Sequence, residues 1–372
     1  MSNTSDRFTM RRLGRAGRTL LWTSVCLLGI TTASTAWAAP TDGKDSGSTM
    51  GGDGPIQNEL TPEVRTSVAK GLDWLAKHQL ADGSFGDGGG DNSAISALAG
   101  LAFLADGNMP GGGGAAGEGP YGVNVDKVLD FTLKNCQESG LIAANGYGSP
   151  MYGHGFATLF LAEAYGMSQR ADVKEKLQNA IRLLVQTQNR EGGWRYQPAP
   201  LDADLSVTIC EIMALRAARN AGIKIPKITI DRAIDYVKKS QEPDGGFCYM
   251  LGSRSSTLPL SAAGVVCLYY AGIYQGDEIT KGLKYLMTNG IPGKSSNLQN
   301  YHYFYGNYYE TQAMFMAGGE AWKTYWPAIR LELLKKQGSD GSWSGEAGNV
   351  YATAMACIIL QVPNRLLPIL QK

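Results

Sequence analysis

Asp202 and Asp204, in the stretch Asp202-Ala203-Asp204-Leu205-Ser206, are the residues of this 372-residue chain best placed by type and spacing for proton chemistry. A carboxyl group enclosed among apolar side chains has its charged form disfavoured, so it keeps its proton to higher pH and can donate it. Asp204, Thr208 and Glu211 fall at i, i+4 and i+7, which predicts a polar stripe on an otherwise apolar helix. Buried polar groups need partners, and Glu163 and Glu310 also interrupt apolar runs. The same residues admit a structural role, with Asp202 or Asp204 capping a helix and the glutamates joined in a hydrogen-bonded network. A second concentration of chemistry is the run Tyr301-His302-Tyr303-Phe304-Tyr305-Gly306-Asn307-Tyr308-Tyr309-Glu310. On a helix Tyr301, Tyr305 and Tyr308 share a face. With His302 and Tyr309 they could line a binding cavity, since aromatic faces attract cations and stack on sugars, or they could pack between structural units. His154, between Gly153 and Gly155, opens another apolar run and is a candidate for the same space.

Other chemistries find no support. Asp204 and Cys210 are six residues apart, which turns their side chains about 240° from each other on a helix and prevents a shared metal. His78, His154 and His302 are too scattered for ligand spacing, so no metal and no cofactor is expected. The sequence has no GxSxG elbow, no HExxH and no phosphate-binding P-loop.

These side chains must be held by a folded body. At 44% hydrophobic and 18% charged residues the chain is not disordered. Arg7, Arg11, Arg12, Arg15 and Arg18 precede an apolar run from Leu20 to Ile30 and the small-x-small site Ala36-Trp37-Ala38, which predicts a signal peptide over 1–38 and an exported protein, periplasmic or extracellular. Without it the charge balance of 34 Lys and Arg against 33 Asp and Glu turns slightly acidic, so nucleic acid is not an expected partner. No later segment has the length of uninterrupted apolar residues that a transmembrane span requires. Residues 39–60, rich in Gly, Ser, Asp and Thr, read as a flexible linker to a domain over 61–372. Cys136, Cys210, Cys248, Cys267 and Cys357 are odd in number and mostly sit in apolar runs, as core residues do.

One pattern, Gln, two variable residues, an acid, Gly, a small residue and an aromatic, recurs four times. Its copies are Gln79, Gly83 and Phe85; Gln188, Gly192 and Trp194; Gln241, Gly245 and Phe247; and Gln337, Gly341 and Trp343. They lie about fifty residues apart, or about twice that, which gives six units with two degenerate copies. An amphipathic helix precedes each copy: Val64, Val68, Leu72 and Leu75 share one face, as do Val173, Leu177, Ile181 and Leu184, and Ile230, Ile234 and Val237. A denser apolar run with many small residues follows, as in Ser261-Ala-Ala-Gly-Val-Val-Cys-Leu-Tyr-Tyr270, the signature of a helix buried on all sides. Six such pairs predict an all-α, six-hairpin α/α toroid of two concentric rings around a central cavity.

The four copies resemble the prenyltransferase/squalene oxidase repeats of squalene/hopene cyclases and protein prenyltransferases. The likeness spans roughly residues 61–361 and implies the same toroid, with the repeated Gln, Gly and aromatic tying the outer helices together. The cyclase acid motif is Asp-x-Asp-Asp. Asp202 and Asp204 match its first two acids, Leu205 replaces the third, and the resemblance implies Asp204 as proton donor. The prenyltransferase zinc needs Asp and Cys two residues apart, a pair this chain lacks, so zinc transfer chemistry is not expected. Two readings stay open. One is an exported monomer acting on or binding an isoprenoid or triterpenoid in the cavity. The other is a lipid-, glycan- or peptide-binding toroid without catalysis, or a glycan-active enzyme on the same fold.

Overall fold

The computed structural model describes residues 59–86, 93–112, 115–144, 148–168, 170–294 and 302–371. The expected signal peptide, nearly all of the linker, and Tyr301 lie outside the described residues. Glu59 and Leu60 belong to the folded body, because Leu60 is buried and the Glu59 carboxylate accepts a 2.6 Å bond from the Trp322 indole.

The chain alternates between two kinds of helix. The first kind comprises α1 (Pro62–His78), α3 (Gly122–Lys134), α5 (Ala171–Thr187), α7 (Lys227–Lys239), α9 (Asp277–Asn289) and α11 (Gly319–Lys336). The second comprises α2 (Ser93–Ala105), α4 (Pro150–Ser168), α6 (Leu205–Asn220), α8 (Leu258–Tyr270), α10 (Tyr303–Ala317) and α12 (Asn349–Gln361). A hairpin of β1 (Phe247–Cys248) and β2 (Ser256–Thr257) precedes α8.

Helices of the first kind bury one stripe. In α1 it is Val64, Val68, Leu72 and Leu75, and in α5 Val173, Leu177, Ile181 and Leu184. In α7 the buried stripe is Thr229, Ala233, Tyr236 and Val237, while Ile230 and Ile234 are half-buried beside it. There the large Tyr236 ring takes the central place that the aliphatic spacing had suggested for the isoleucines. Helices of the second kind are buried almost all round, since each has neighbours on both sides and a helix of the first kind behind. Around the inner ring α2 packs on α4, α4 on α6, α6 on α8, α8 on α10, α10 on α12, and α12 back on α2. The ring is closed, and the fold is a six-hairpin α/α toroid.

The repeated motif supplies the tie between hairpins. The Gln carboxamide donates both to the carbonyl of its own motif glycine and to the first turns of the next outer helix. Gln79 reaches Asn124, Gln188 reaches Thr229, Gln241 reaches Glu278 and Gln337 reaches Ser67, at 2.8–3.0 Å. The last of these joins the end of α11 to α1 across 270 residues of sequence. The motif glycine permits this approach. Gly341 has φ of +95°, and a side chain there would meet the Lys70 carbonyl oxygen at 2.7 Å. A second tie links each motif aromatic to the inner helix that follows. The amides of Phe85, Trp194, Phe247 and Trp343 donate to the hydroxyls of Ser96, Thr208, Ser261 and Thr353, at 2.9–3.0 Å.

After α12 the chain turns back across the C-terminal ends of the inner helices. This strap, residues 362–371, contains two 3₁₀ turns, Val362–Asn364 and Pro368–Leu370, and closes that end as a floor.

The Gln337→Ala variant removes two donated bonds and the acceptor for the Ser67 hydroxyl at the point of closure. It is expected to lose about 2–4 kcal/mol of unfolding free energy, with denaturant titration as the measurement. A loss under 0.5 kcal/mol would show that closure does not depend on this side chain.

Candidate functional site

The N-terminal ends of α4, α6, α8 and α10 form the opposite end of the ring, the mouth, and short backbone ties hold them in register. The Met151 amide at the start of α4 donates to the Tyr196 carbonyl at 3.2 Å. The Leu205 amide at the start of α6 donates to the Tyr249 carbonyl at 2.8 Å, and the Asp204 amide to the Trp194 carbonyl at 3.0 Å. These satisfy donors that a helix start leaves unpaired. They also place Arg195, Tyr196, Asp202, Asp204 and Tyr249 together.

Asp204 caps α6. Its Oδ1 accepts from the Val207 amide at 2.9 Å and the Ser206 hydroxyl at 2.6 Å, and its Oδ2 accepts from the Tyr249 phenol at 3.3 Å with Arg195 Nε 3.5 Å away. Burial is the largest effect and holds its pKa above the ordinary aspartate value, although each of these contacts stabilises the anion and pulls it back down. Asp202 is half-exposed and paired with the same arginine. The Arg195 guanidinium in turn lies 5.1 Å from the centroid of the Tyr196 ring and 6.0 Å from that of Tyr249, whose two phenols are hydrogen-bonded to each other. Around Ser206, the Tyr152 phenol meets the hydroxyl at 2.5 Å and the Tyr305 phenol donates to the carbonyl at 3.0 Å.

Below this layer the axis of the ring is filled by side chains. Tyr305 and Tyr309 meet edge to face at 4.8 Å, Tyr308 and Tyr309 at 4.9 Å, and Tyr308 meets Phe156 of α4 from across the ring at 6.3 Å. The Tyr309 phenol lies 3.5 Å from the Cys210 sulfur. Tyr308 and Tyr309 are at most 2% exposed. The aromatic cluster therefore occupies the hollow that the sequence pattern had led us to expect as a ligand cavity, because six inner helices leave an axis that four large rings can fill.

The remaining sequence candidates take separate places. Thr208 faces the turn before α6, where its hydroxyl receives the Trp194 amide. His154 does the equivalent work in the degenerate second unit. There Gly140, with φ of +91°, stands where the motif glycine should be, Ile142 replaces the aromatic, and the Ile142 amide donates to His154 Nδ1 at 3.1 Å. Burial pushes His154 down to about 4, so the imidazole is neutral. His302 lies on the surface, 3.1 Å from the Glu346 carboxylate. Glu211 is buried against Gly155 of α4, and both of its oxygens lack a hydrogen-bond partner. Burial raises the pKa of Glu211 and of Glu310 well above the ordinary carboxylate range. Among the described residues no three His, Cys, Asp or Glu side chains are grouped to hold a metal ion.

Tyr152, Arg195, Tyr196, Ser206 and Tyr249 join the site without having been singled out in the sequence. A signal existed for two of them, since Tyr196 and Tyr249 each follow a motif aromatic, Trp194 and Phe247, by two residues. That offset places both at the entry to an inner helix.

Solved structures share this architecture. The type II terpene cyclase MstE from Scytonema, in complex with geranylgeranyl dihydroxybenzoate, superposes with a TM-score of 0.56 at 15% identity, covering 84% of this chain and 99% of that one. The GH76A α-1,6-mannanase of Salegentibacter sp. HEL1_6 gives a TM-score of 0.61 at 9% identity, over 82% and 99% of the two chains. An inactive variant of that mannanase in complex with α-1,6-mannotriose gives 0.59 at 11% identity, over the same shares. The chain is an α/α toroid. No protein-family model matches the sequence, and no curated protein does.

Two substitutions separate structural from chemical roles. Asp204→Ala is expected to cost about 1–3 kcal/mol through loss of the cap, and Asp204→Asn, which keeps one oxygen acceptor, less than half of that, by denaturant titration. Equal costs would argue that charge rather than capping holds the site. The native Glu211 carboxyl has a raised pKa, so wild-type stability falls as pH rises above its ordinary value of 4.5. Glu211→Met is therefore expected to raise the melting temperature, and to raise it more at pH 8 than at pH 5. A gain that does not change with pH would exclude titration of Glu211 as its source.

Proposed function

We propose that this protein is a binding toroid that takes a glycan at its mouth. The observation that carries the reading is the division of the ring axis, with apolar and aromatic side chains packed along it and hydrogen-bonding groups gathered at its N-terminal end. The chemistry there suits a sugar. Tyr152, Tyr196, Tyr249 and Tyr305 offer ring faces and phenols, and the Arg195–Asp202 pair offers planar donors and acceptors beside them. The fold likeness to a mannanase complexed with a trisaccharide is compatible with this use of the scaffold. An exported protein, as the N-terminal pattern suggests, would meet glycans outside the cytoplasm.

The alternative implied by the repeat resemblance is an isoprenoid-acting enzyme with Asp204 as proton donor. It asks for an apolar hollow beside an acid that holds its proton. Burial does raise the Asp204 pKa, but its oxygens are engaged in capping α6 and by Tyr249 rather than facing an apolar hollow, and Tyr308, Tyr309 and Phe156 occupy the axis. Glycan binding is thus the better-supported use of the same residues.

The test is calorimetric titration of the mature protein with α-1,6-mannotriose, cellotriose and chitotriose, alongside incubation with squalene and geranylgeranyl diphosphate analysed by mass spectrometry. The expected result is saturable binding of at least one oligosaccharide, weakened tenfold or more in Tyr249→Ala, with no isoprenoid product. Absence of oligosaccharide binding, or isoprenoid turnover that Asp204→Asn abolishes, would overturn the reading.

A further inference from the structure

The C-terminal strap is attached differently from the rest of the ring. Its apolar residues Val362, Leu367, Ile369 and Leu370 are each at most 3% exposed, yet its polar attachments to the inner helices are few. The Asn364 amide donates to the Ala105 carbonyl at 3.3 Å, and the Ile369 backbone amide donates to Oε1 of Glu163 at 3.2 Å. The Arg365 guanidinium lies over the Phe315 ring at 5.2 Å. The strap has no side-by-side helix pairing of the kind that locks the hairpins, so it is the sort of short, weakly attached unit that opens without global unfolding.

Glu163 is the anchor that makes this opening sensitive to protons. It sits on α4 at 2% exposure, its Oε2 has no hydrogen-bond partner, and its one favourable contact is the strap itself. The phenols of Tyr270 on α8 and Tyr308 on α10 feel its charge and are themselves held neutral by burial. The α6 cation in the area, Arg216, is turned to the carbonyls of Tyr269 and Tyr270 and stacks on the Tyr270 ring, and α2 carries no ionisable residue. On the strap the charged side chain is Arg365, which faces Phe315. No cation therefore offsets the burial of the carboxyl.

We propose that residues 362–371 are a proton-gated stopper for the floor of the toroid, docked over Glu163 while that carboxyl is neutral and freed when it ionises. Burial pushes Glu163 up to about 8 with the strap docked, although the Ile369 amide pulls the other way, and the proposal requires that water reach the carboxyl on release and return it towards 4.5. The docked form thus binds a proton that the open form releases. Docking is strongest below pH 4.5 and weakens as pH rises towards 8, by up to tenfold per pH unit. Release would uncover the parts of α6 and α10 against which the two 3₁₀ turns pack. The proposal does not depend on what binds at the mouth.

Hydrogen exchange read by mass spectrometry on the full mature protein, corrected for intrinsic rates between pH 5 and pH 8.5, tests it. Protection of the Ile369 and Leu370 amides is expected to fall about 100-fold or more over that range, with α10 peptides changing less than about threefold. Glu163→Gln keeps an acceptor for the Ile369 amide without titrating, and is expected to abolish the trend. Strap protection that stays constant in the wild type, that falls in step with α10, or that falls equally in Glu163→Gln, overturns the proposal. Should the variant not fold, the wild-type comparison of strap and α10 decides alone.

Discussion

A glutamine carboxamide can donate two hydrogen bonds in one plane, and in this molecule four such groups each hold two backbone carbonyls belonging to different hairpins. The geometry requires the end of one outer helix to lie against the first turns of the next, at a separation that a Cβ on the motif glycine would prevent. Repetition of this local contact at four of the six hairpin junctions sets the curvature. The hydroxyl ties from the inner helices then fix the radial position of each aromatic, so both rings are positioned by the same few residues. Amphipathic faces supply the bulk of the burial, but they would be equally well buried in an open stack. The carboxamide ties and the glycines select the ring.

The ring in turn explains what its centre can contain. Inner helices of mostly small and medium side chains leave an axis that Phe156, Tyr305, Tyr308 and Tyr309 fill, and their phenols find Ser206 and Cys210 as partners. Polar chemistry is displaced to the mouth, where loop carbonyls and the Asp204 carboxylate pair with helix-start amides and loops bring Arg195 and Tyr249 to Asp204. The glutamates deeper in the ring are a different matter. Glu163 and Glu211 have unpartnered oxygens in a medium that disfavours charge, so they are held as neutral acids rather than as a ring of carboxylates.

The architecture was legible in the sequence because each unit writes it in local terms. Gln, Gly and aromatic sit at fixed offsets, and the periodicity changes from one-sided to all-round burial across them. The second unit was harder to read, since Cys136 and Ile142 replace the expected Gln and aromatic, and only the backbone angle of Gly140 reveals the turn. A histidine among glycines admits either a ligand-facing or a local hydrogen-bonding role, and here the His154 ring nitrogen takes the place of a serine or threonine hydroxyl. The site was less legible because its members come from different units. Asp204 could be found by its spacing, and Arg195 and Asp202 lie within one loop, but the pairing of Tyr152 with Ser206 across 54 residues comes from the packing of α4 on α6 and has no local signature.

The tie between Gln337 and Ser67 has a consequence for how the molecule comes into being. The two partners are separated by 270 residues, so a ribosome must deliver all the intervening hairpins before they can meet. Until then the nascent protein is an arc with two raw edges, one on α2, a strip of Ala, Leu, Ile and Phe, and one on the latest inner helix, such as the Tyr, Phe and Met surface of α10, both hidden in the finished ring. Such an arc can add a neighbour's hairpin as readily as its own. A cell producing this protein therefore has reason to shield the growing chain until its sixth hairpin emerges, and a truncated copy would be hazardous in proportion to how much of the circle it had completed.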